Sequence, residues 1–200
     1  DAASVSLKTA LTIEPITGDN IVTLAEHGVA TVEVKGQVSG AFAAGNIVTL
    51  TLNGKDYTAA VAADGSYSVN VNTSDLIADS DTRIEGKVTG TGGDTATALQ
   101  DYQVETAANA GKLTALSIDP VTADNILSVA ESAAGSVNIT GKVTGAYAEG
   151  DVVTLTINGK TFSGAVNASG VYSIAVAASD LAADGDTTID ATVTGTGGTA

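Results

Sequence analysis

Carboxylate and amide side chains gather in a few turn-rich stretches of this sequence, and they are the residues whose types could do chemistry. Each stretch occurs twice, 105 positions apart, so the candidates form two matching sets. The first set is Asp19, Asn20, Glu26, Asp79 and Asp81, and the second is Asp124, Asn125, Glu131, Asp184 and Asp186. Calcium takes about six to eight oxygen ligands from such groups. If the two loops of each set meet at one end of a domain, the sequence predicts calcium as a bound ion. The alternative is that these carboxylates are solvated or bond N–H groups of their own turns.

Two further acidic residues, Glu149 and Asp151, stand where the first half of the chain has an alanine and an asparagine. They precede a predicted hairpin of the second half, at the end that would face the linker. We hypothesise that they meet Asp79 and Asp81 there and share a calcium ion, which would turn mutual repulsion into a rigid joint. The alternative is a plain linker between solvated loops.

Composition disfavours other chemistries. The chain has no cysteine and one histidine, His27, so a thiolate site is excluded and an imidazole site has no second ligand. A net charge of −15 with only 8 Lys and Arg argues against a nucleic-acid partner, since phosphate binding needs cations. No apolar run is long enough for membrane insertion. The acids lie in loops without an aromatic cleft, so we expect no enzymatic activity.

The clearest structural signal is a hairpin at 48–61, whose sequence VTLTLNGKDYTAAV recurs at 153–166 as VTLTINGKTFSGAV. An Asn-Gly pair between alternating runs predicts a two-residue type I′ turn, because both central residues need φ > 0. If Leu52 pairs with Lys55, one face of the hairpin is apolar. That face consists of Val48, Leu50, Leu52, Tyr57, Ala59 and Val61. We expect it in the core, tyrosine included, which leaves no exposed aromatic platform for a sugar or base.

The offset of 105 positions aligns the two halves without a gap, which indicates a tandem repeat with domains at 1–105 and 106–200. Alternating patterns predict the remaining strands. In the first repeat these are a strand that ends before Pro15 and strands at 31–39, 66–71, 83–89 and 95–105. Between two of them we expect a loop at 72–82, in which Ser74-Asp75-Leu76 caps one helical turn. We therefore predict an all-β protein of two tandem immunoglobulin-like antiparallel β-sandwich domains. The second is expected to lack its final strand, since position 200 corresponds to Thr95.

Five motifs of the first repeat carry a resemblance to a known family. They are Asp19-Asn20-Ile21 with Ala25-Glu26, the run GNIVTLT from Gly45, Asn53-Gly54, the run DGSYSV from Asp64, and Ser74-Asp75-Leu76 with Asp79 and Asp81. On these residues the chain resembles the bacterial immunoglobulin-like tandem repeats of giant RTX and Lap-type biofilm adhesins, including the ice-binding RTX adhesins. The resemblance covers the whole chain, twice. It implies a secreted protein of the bacterial cell surface, stiffened by calcium, with neighbouring repeats of the same chain as its partners.

The function that we predict is that of a structural extender, which projects a distal binding domain from the cell and is rigidified by calcium. We expect the chain to be monomeric. The alternative is an adhesive module whose loops bind a host or matrix ligand directly. The near-equality of the repeats favours the spacer, because recognition usually requires one distinctive surface.

Overall fold

A computed structural model of the chain describes residues 8–196 and 198–200. The described residues form two compact units. The first comprises 8–18, 22–104 and 124–126, and the second 19–21, 105–123, 127–196 and 198–200.

Residues 8–105 of the first repeat contain nine strands and one short α-helix. The strands are β1 (Thr9–Ile13), β2 (Ile21–Val22), β3 (Thr31–Gly40), β4 (Ile47–Leu52), β5 (Lys55–Ala60), β6 (Ser66–Asn72), β7 (Arg83–Thr89), β8 (Thr95–Asp101) and β9 (Gln103–Val104). The helix α1 (Thr73–Ala78) follows β6, and 3₁₀ turns lie at Ile16–Gly18 and Glu26–Gly28. One sheet has the order β1-β3-β6, a second has the order β5-β4-β7-β8, and β2 pairs with β9. Neighbouring strands of both larger sheets run antiparallel.

The central hairpin forms as predicted. Leu52 pairs with Lys55, and the φ angles of Asn53 and Gly54 are 49° and 69°. Val48 and Leu50 are fully buried, as the alternation requires. Tyr57 is only half-buried, because its hydroxyl group reaches a carboxylate at the edge of the core rather than the core itself.

The core between the two sheets is built from the inward residues of every long strand. In the first repeat it includes Leu11, Val34, Val38, Leu50, Tyr67, Val71, Leu76, Ile84, Val88 and Tyr102. Tyr67 lies over Gly36, where an added Cβ would come within 2.3 Å of the tyrosine oxygen, and its hydroxyl group donates to Thr12 O at 2.9 Å. Tyr172 repeats this contact over Gly141 in the second repeat. A strand position without a side chain is therefore needed beneath each ring.

Two predictions for the first repeat need correction in detail. The strand expected at 95–105 is divided into β8 and β9 at Tyr102, whose side chain is 2% exposed. Its hydroxyl group donates to Leu76 O at 2.9 Å and to the Asp79 carboxylate at 3.1 Å, and this inward anchor interrupts the ladder. The helical turn expected in the loop at 72–82 does form, but it extends to the six-residue helix α1.

The second repeat follows the same plan. Its strands are β10 (Thr114–Ile118), β11 (Ser136–Gly145), β12 (Val152–Ile157), β13 (Lys160–Ala165), β14 (Val171–Ala177), β15 (Asp190–Gly195) and β16 (Gly198–Thr199), with helices α2 (Val129–Ser132) and α3 (Ala178–Ala183). The sheets have the orders β10-β11-β14 and β13-β12-β15-β16. Helices in the described part of the chain are at most six residues long, which is far too short for a bilayer.

The left-handed turn offers a test with a matched control. Gly54→Ala should lower the free energy of unfolding of the first repeat by about 1 kcal/mol, because an L-residue is strained at φ near +69°. Gly28→Ala should change it little, since an added Cβ meets nothing within 4 Å at either glycine and only Gly54 has the positive φ. Urea unfolding of both variants measures the difference. Equal midpoints would show that the turn does not constrain the hairpin.

Candidate functional site

The carboxylates of the first acidic loop and of its counterpart bond their own turns. Asp19 accepts the N–H of residue 21 at 3.0 Å, and Asp124 accepts that of residue 126 at 3.1 Å. Glu26 accepts both the N–H and the hydroxyl group of Thr23 at 2.8 Å. Glu131 completes a capping box with Ser128 at the start of α2. These are the turn contacts that the alternative hypothesis described.

Both amides of these loops have a backbone role. Asn20 and Asn125 have φ angles of 62° and 56°, in the left-handed region that asparagine tolerates better than most residues. Asn20 is also buried, with 1% of its surface exposed. The recurrence of asparagine at this position is thus explained by the turn.

Asp79 and Asp81 do come together, at the rim of a shallow hollow of about 190 Å³ in the first repeat. The hollow is lined by Thr51, Asn53, Gly54, Asp79, Asp81, Arg83 and Glu85. Asp79 is 9% exposed and accepts hydrogen bonds from Tyr102 and from the backbone of Arg83. The Arg83 guanidinium is itself bidentate to Asp101, at 2.6 and 3.2 Å. The hollow therefore already contains a cation.

In the second repeat the corresponding carboxylates lie in the same loop without an arginine. Asp184 accepts the N–H of Asn158, at the tip of the hairpin, at 3.3 Å. Asp186 is exposed and accepts the N–H of Thr188, the residue that replaces Arg83, at 2.9 Å. Asp184 thereby connects the loop to the hairpin turn.

Glu149 and Asp151 lie in the turn before β12. Asp151 accepts the N–H of Ala148 at 2.8 Å, and Asn46 makes the same bond to Ala43 at 2.7 Å in the first repeat. Aspartate and asparagine are thus interchangeable as acceptors there. Glu149 is exposed.

The donor chemistry of these loops suits calcium, since carboxylate and amide oxygens are its preferred ligands. Within residues 8–196 and 198–200, however, no three carboxylate or imidazole side chains form a group that could hold a metal ion. Most of the candidate carboxylates bond their own turns instead. Calcium remains a prediction, and so does the set of residues that would bind it.

A charged network that the sequence did not predict lies between hairpin and helix. Asp75, in the first turn of α1, is 3% exposed, and its carboxylate accepts the Lys55 ammonium group at 2.6 Å. The Tyr57 hydroxyl group donates to the other carboxylate oxygen. Amide groups of Asn53 and Asn72 complete the shell at 3.4 and 3.3 Å. β5 lies in one sheet, and α1 directly follows β6 of the other sheet. This carboxylate therefore ties the two sheets together.

The network changes the acid–base behaviour of its members. The Lys55 ammonium group, and after it the Tyr57 hydroxyl group, hold the pKa of the Asp75 carboxyl well below its usual range. The same carboxylate raises the pKa of Lys55. Asp75 therefore stays ionised in the folded protein although little of it contacts water.

The second repeat keeps the lysine–aspartate pair of this network but lacks two of the surrounding hydrogen-bond donors. Lys160 bonds Asp180 at 2.6 Å, and the Asp180 side chain is 11% exposed. The counterparts of the tyrosine and of the asparagine before the helix are Phe162 and Ala177, which cannot donate to the carboxylate. The conserved spacing of lysine and aspartate in both repeats was the signal that could have identified this pair.

The chain is similar to solved structures of two bacterial adhesins. No protein-family model and no curated protein sequence matches the chain. A solved structure of a Ca²⁺-stabilized adhesin, which helps an Antarctic bacterium reach out and bind ice, is 37% identical over 97% of this chain and 47% of that one, with a TM-score of 0.45. A 1.5-MDa bacterial ice-binding adhesin, solved in the context of host cell surface retention, is 36% identical over 96% of this chain and 62% of that one, with a TM-score of 0.42. The chain thus spans about half of the first structure and less than two thirds of the second.

One solved structure of a single domain is matched over almost its whole length. A bacterial immunoglobulin-like domain from the M. primoryensis ice-binding adhesin is 37% identical over 96% of its length, which is 48% of this chain, with a TM-score of 0.43. The chain belongs to the bacterial immunoglobulin-like domains. The predicted all-β, immunoglobulin-like fold class and the family resemblance are confirmed. The Lys–Asp pairs are then the polar links between the two sheets of each immunoglobulin-like repeat.

The pH dependence of the first immunoglobulin-like repeat should follow Asp75. Its pKa is lower in the folded chain than the value of about 3.9 expected when unfolded. The network therefore stabilises the repeat fully above about pH 4 and loses that contribution as the pH falls further. Asp75→Asn should lower the melting temperature of this repeat at pH 7, and the difference from the parent should shrink below about pH 4. A difference that is independent of pH would contradict this account.

The counterpart of Tyr57 in the second repeat is Phe162, which suggests Tyr57→Phe as a companion variant. Tyr57→Phe removes a hydroxyl group that donates to Asp75 and accepts the N–H of Asn72 at 3.4 Å, but it keeps the ion pair. It makes the first repeat resemble the second, so its effect on the melting temperature should be smaller than that of Asp75→Asn. Calorimetry of both variants tests the order. If Tyr57→Phe were the more damaging change, the hydrogen bonds of the hydroxyl group rather than the ion pair would dominate, because the substitution keeps the ring.

Proposed function

We propose that this chain is a pair of structural extender domains, at 1–105 and 106–200, from a secreted adhesin of the bacterial cell surface. The observation that carries the proposal is the identity of 36–37% to ice-binding adhesin structures across 96–97% of the chain. In such a protein the repeats add length and transmit force between the cell and a distal binding domain. Neighbouring repeats of the same chain are their partners.

The internal duplication supports a spacer over a ligand-binding module or an enzyme. The two repeats keep the hairpin turn, the glycine beneath the buried tyrosine and the Lys–Asp pair. These shared features stabilise the fold. The differences between the repeats, such as Phe162 in place of the tyrosine at position 57, change residues around these shared contacts. Sameness of this kind suits a linear array, in which each unit contributes its own stability.

Calcium is the ion that we propose to rigidify the array, because the related Antarctic adhesin is Ca²⁺-stabilized. The acidic loops of both repeats supply suitable oxygen atoms, and at neutral pH an excess of carboxylates repels itself unless cations bind. The role of calcium here would be to neutralise the negative charge of these loops and reduce the conformational freedom of the chain.

Calcium addition tests this role. If calcium binds the folded state alone, a concentration of about 100 times its Kd should raise the free energy of unfolding by about 2.7 kcal/mol. Small-angle scattering should also show a narrower distribution of the radius of gyration with calcium than with chelator. Identical melting curves and identical scattering profiles would remove calcium from the account and leave a plain spacer.

A double variant tests the two acidic residues that are particular to the second repeat. Glu149→Ala with Asp151→Asn restores the residues of the first repeat, and Asn46 shows that asparagine keeps the turn bond. The effect of calcium on scattering should be lost in this variant. Asp56→Asn with Glu33→Gln removes the same charge from exposed strand positions and should keep the effect. An unchanged calcium response in the first variant would contradict a role for Glu149 and Asp151.

A further inference from the structure

Hydrogen bonds from the first residue of β1 connect this strand to two turns of the first repeat. The N–H group of Thr9 donates to one oxygen of the Asp94 carboxylate at 3.1 Å. The buried Thr9 hydroxyl group donates to Ala41 O at 3.0 Å and to the other carboxylate oxygen at 3.2 Å. We call these three residues, Thr9, Ala41 and Asp94, the clasp.

A glycine makes the close approach of the β7–β8 turn to β1 possible. An added Cβ at Gly90 would lie 1.9 Å from Thr9 Oγ1 and 2.3 Å from Ala41 O, so no other residue type fits there without a shift of the backbone. The turn is also fixed by its own bonds. The N–H of Gly90 donates to Asp94 O, and that of Thr91 donates to Ala41 O, both at 2.9 Å. The carboxylate of the clasp is therefore held on a constrained turn.

The clasp joins two strands of different sheets that start at the same end of the repeat. β1 is an edge strand of the sheet β1-β3-β6, and β8 is an edge strand of the sheet β5-β4-β7-β8. Thr9 is the first residue of β1, and Asp94 directly precedes β8. Farther along, Ala98 of β8 pairs with Gly86, where an added Cβ would lie 3.1 Å from Ile13 Cδ1 of β1. β1 and β8 therefore run side by side in the same direction.

This parallel arrangement determines how tension acts on the repeat. Tension along the chain reaches the first repeat at Lys8, before β1, and leaves it after Val104, at the end of β9. It pulls β1 back from its start and β8 forward from its end, so the two strands are sheared past each other. A slide of one residue is about 3.4 Å. That distance is enough to separate every donor of the clasp from its acceptor.

We propose that the clasp is a mechanical latch, which sets the force at which the two terminal strands of the first repeat separate. The latch deepens the extender role and rests on it, since only a repeat under tension loads these bonds. The Asp94 carboxylate is a charged acceptor, and its hydrogen bonds are stronger than those of a neutral one. Because both of its oxygen atoms bond Thr9, the two bonds share the load.

The second repeat keeps the neutral part of the clasp. The hydroxyl group of Thr114 donates to Ala146 O at 2.7 Å, and an added Cβ at Gly195 would lie 2.6 Å from that hydroxyl oxygen. In the sequence, a threonine at position 199 stands where the first repeat has Asp94. The close approach of turn and strand is thus common to both repeats, whereas the charged acceptor is particular to the first.

Single-molecule stretching of the whole 200-residue chain tests the latch. Asp94→Ala should lower the higher of the two rupture forces. The unfolding rate at a fixed force should rise at least about tenfold, because two hydrogen bonds to a charged acceptor are lost. Thr9→Val removes only the hydroxyl donor, so its effect should be intermediate. It also decides the question if the alanine variant of Asp94 fails to fold.

Asp64→Ala is the matched control. The Asp64 carboxylate also accepts one N–H and one hydroxyl group, both from Ser66, at 3.0 and 2.6 Å. It lies in the turn between β5 and β6, which tension on the chain ends does not load directly, so both rupture forces should equal those of the parent. Urea unfolding of each variant measures the loss of stability in the absence of force.

Two results would overturn the latch. One is an unchanged rupture force in Asp94→Ala and in Thr9→Val. The other is an equal fall in force for the two alanine variants at an equal loss of unfolding free energy, which would reduce the clasp to an ordinary stabilising contact. In both cases the parent chain still ruptures twice, so the extender role stands. A parent chain that extends without resistance would instead remove that role, and the latch with it.

Discussion

A two-residue turn in the left-handed region determines the register of each repeat. Asn53 and Gly54, and again Asn158 and Gly159, adopt φ angles between 49° and 70°. Because side chains alternate across a strand, a slip of one residue at this turn would move Leu50 and its neighbours from the core to solvent. The same register directs Lys55 towards the helix, where its ammonium group meets Asp75. The apolar core and the polar link between the sheets therefore depend on one local constraint.

This arrangement connects stability to the function that we propose. An extender needs units that fold alone and resist separation of their two sheets. The apolar core provides the first property, and the buried carboxylate between hairpin and helix provides the second. The two repeats are unequal in the second respect, since Asp75 has more hydrogen-bond donors around its carboxylate than Asp180 has. The polar link of the second repeat is thus the weaker one.

Most of the fold could be predicted from sequence, because alternation and turn residues are local signals. The Asn-Gly hairpin, the strand at 83–89 and the all-β class follow from such signals. The division of the last strand at Tyr102 could not be predicted, since it depends on acceptors at Leu76 and Asp79 that only the fold brings close. Carboxylates in loops suggested calcium, yet side chains such as Glu26 bond their own turns. The Lys55–Asp75 pair was missed because its members are twenty positions apart and lie on different elements.

The central claim is that the chain consists of two independently folded units built to carry force. Single-molecule stretching of the chain between flanking reference domains tests it most directly. We predict two separate unfolding events, each adding about 35 nm of contour length, as expected for about 100 extended residues. The second repeat should rupture at the lower force. One cooperative event of double length, or extension without measurable resistance, would contradict the account.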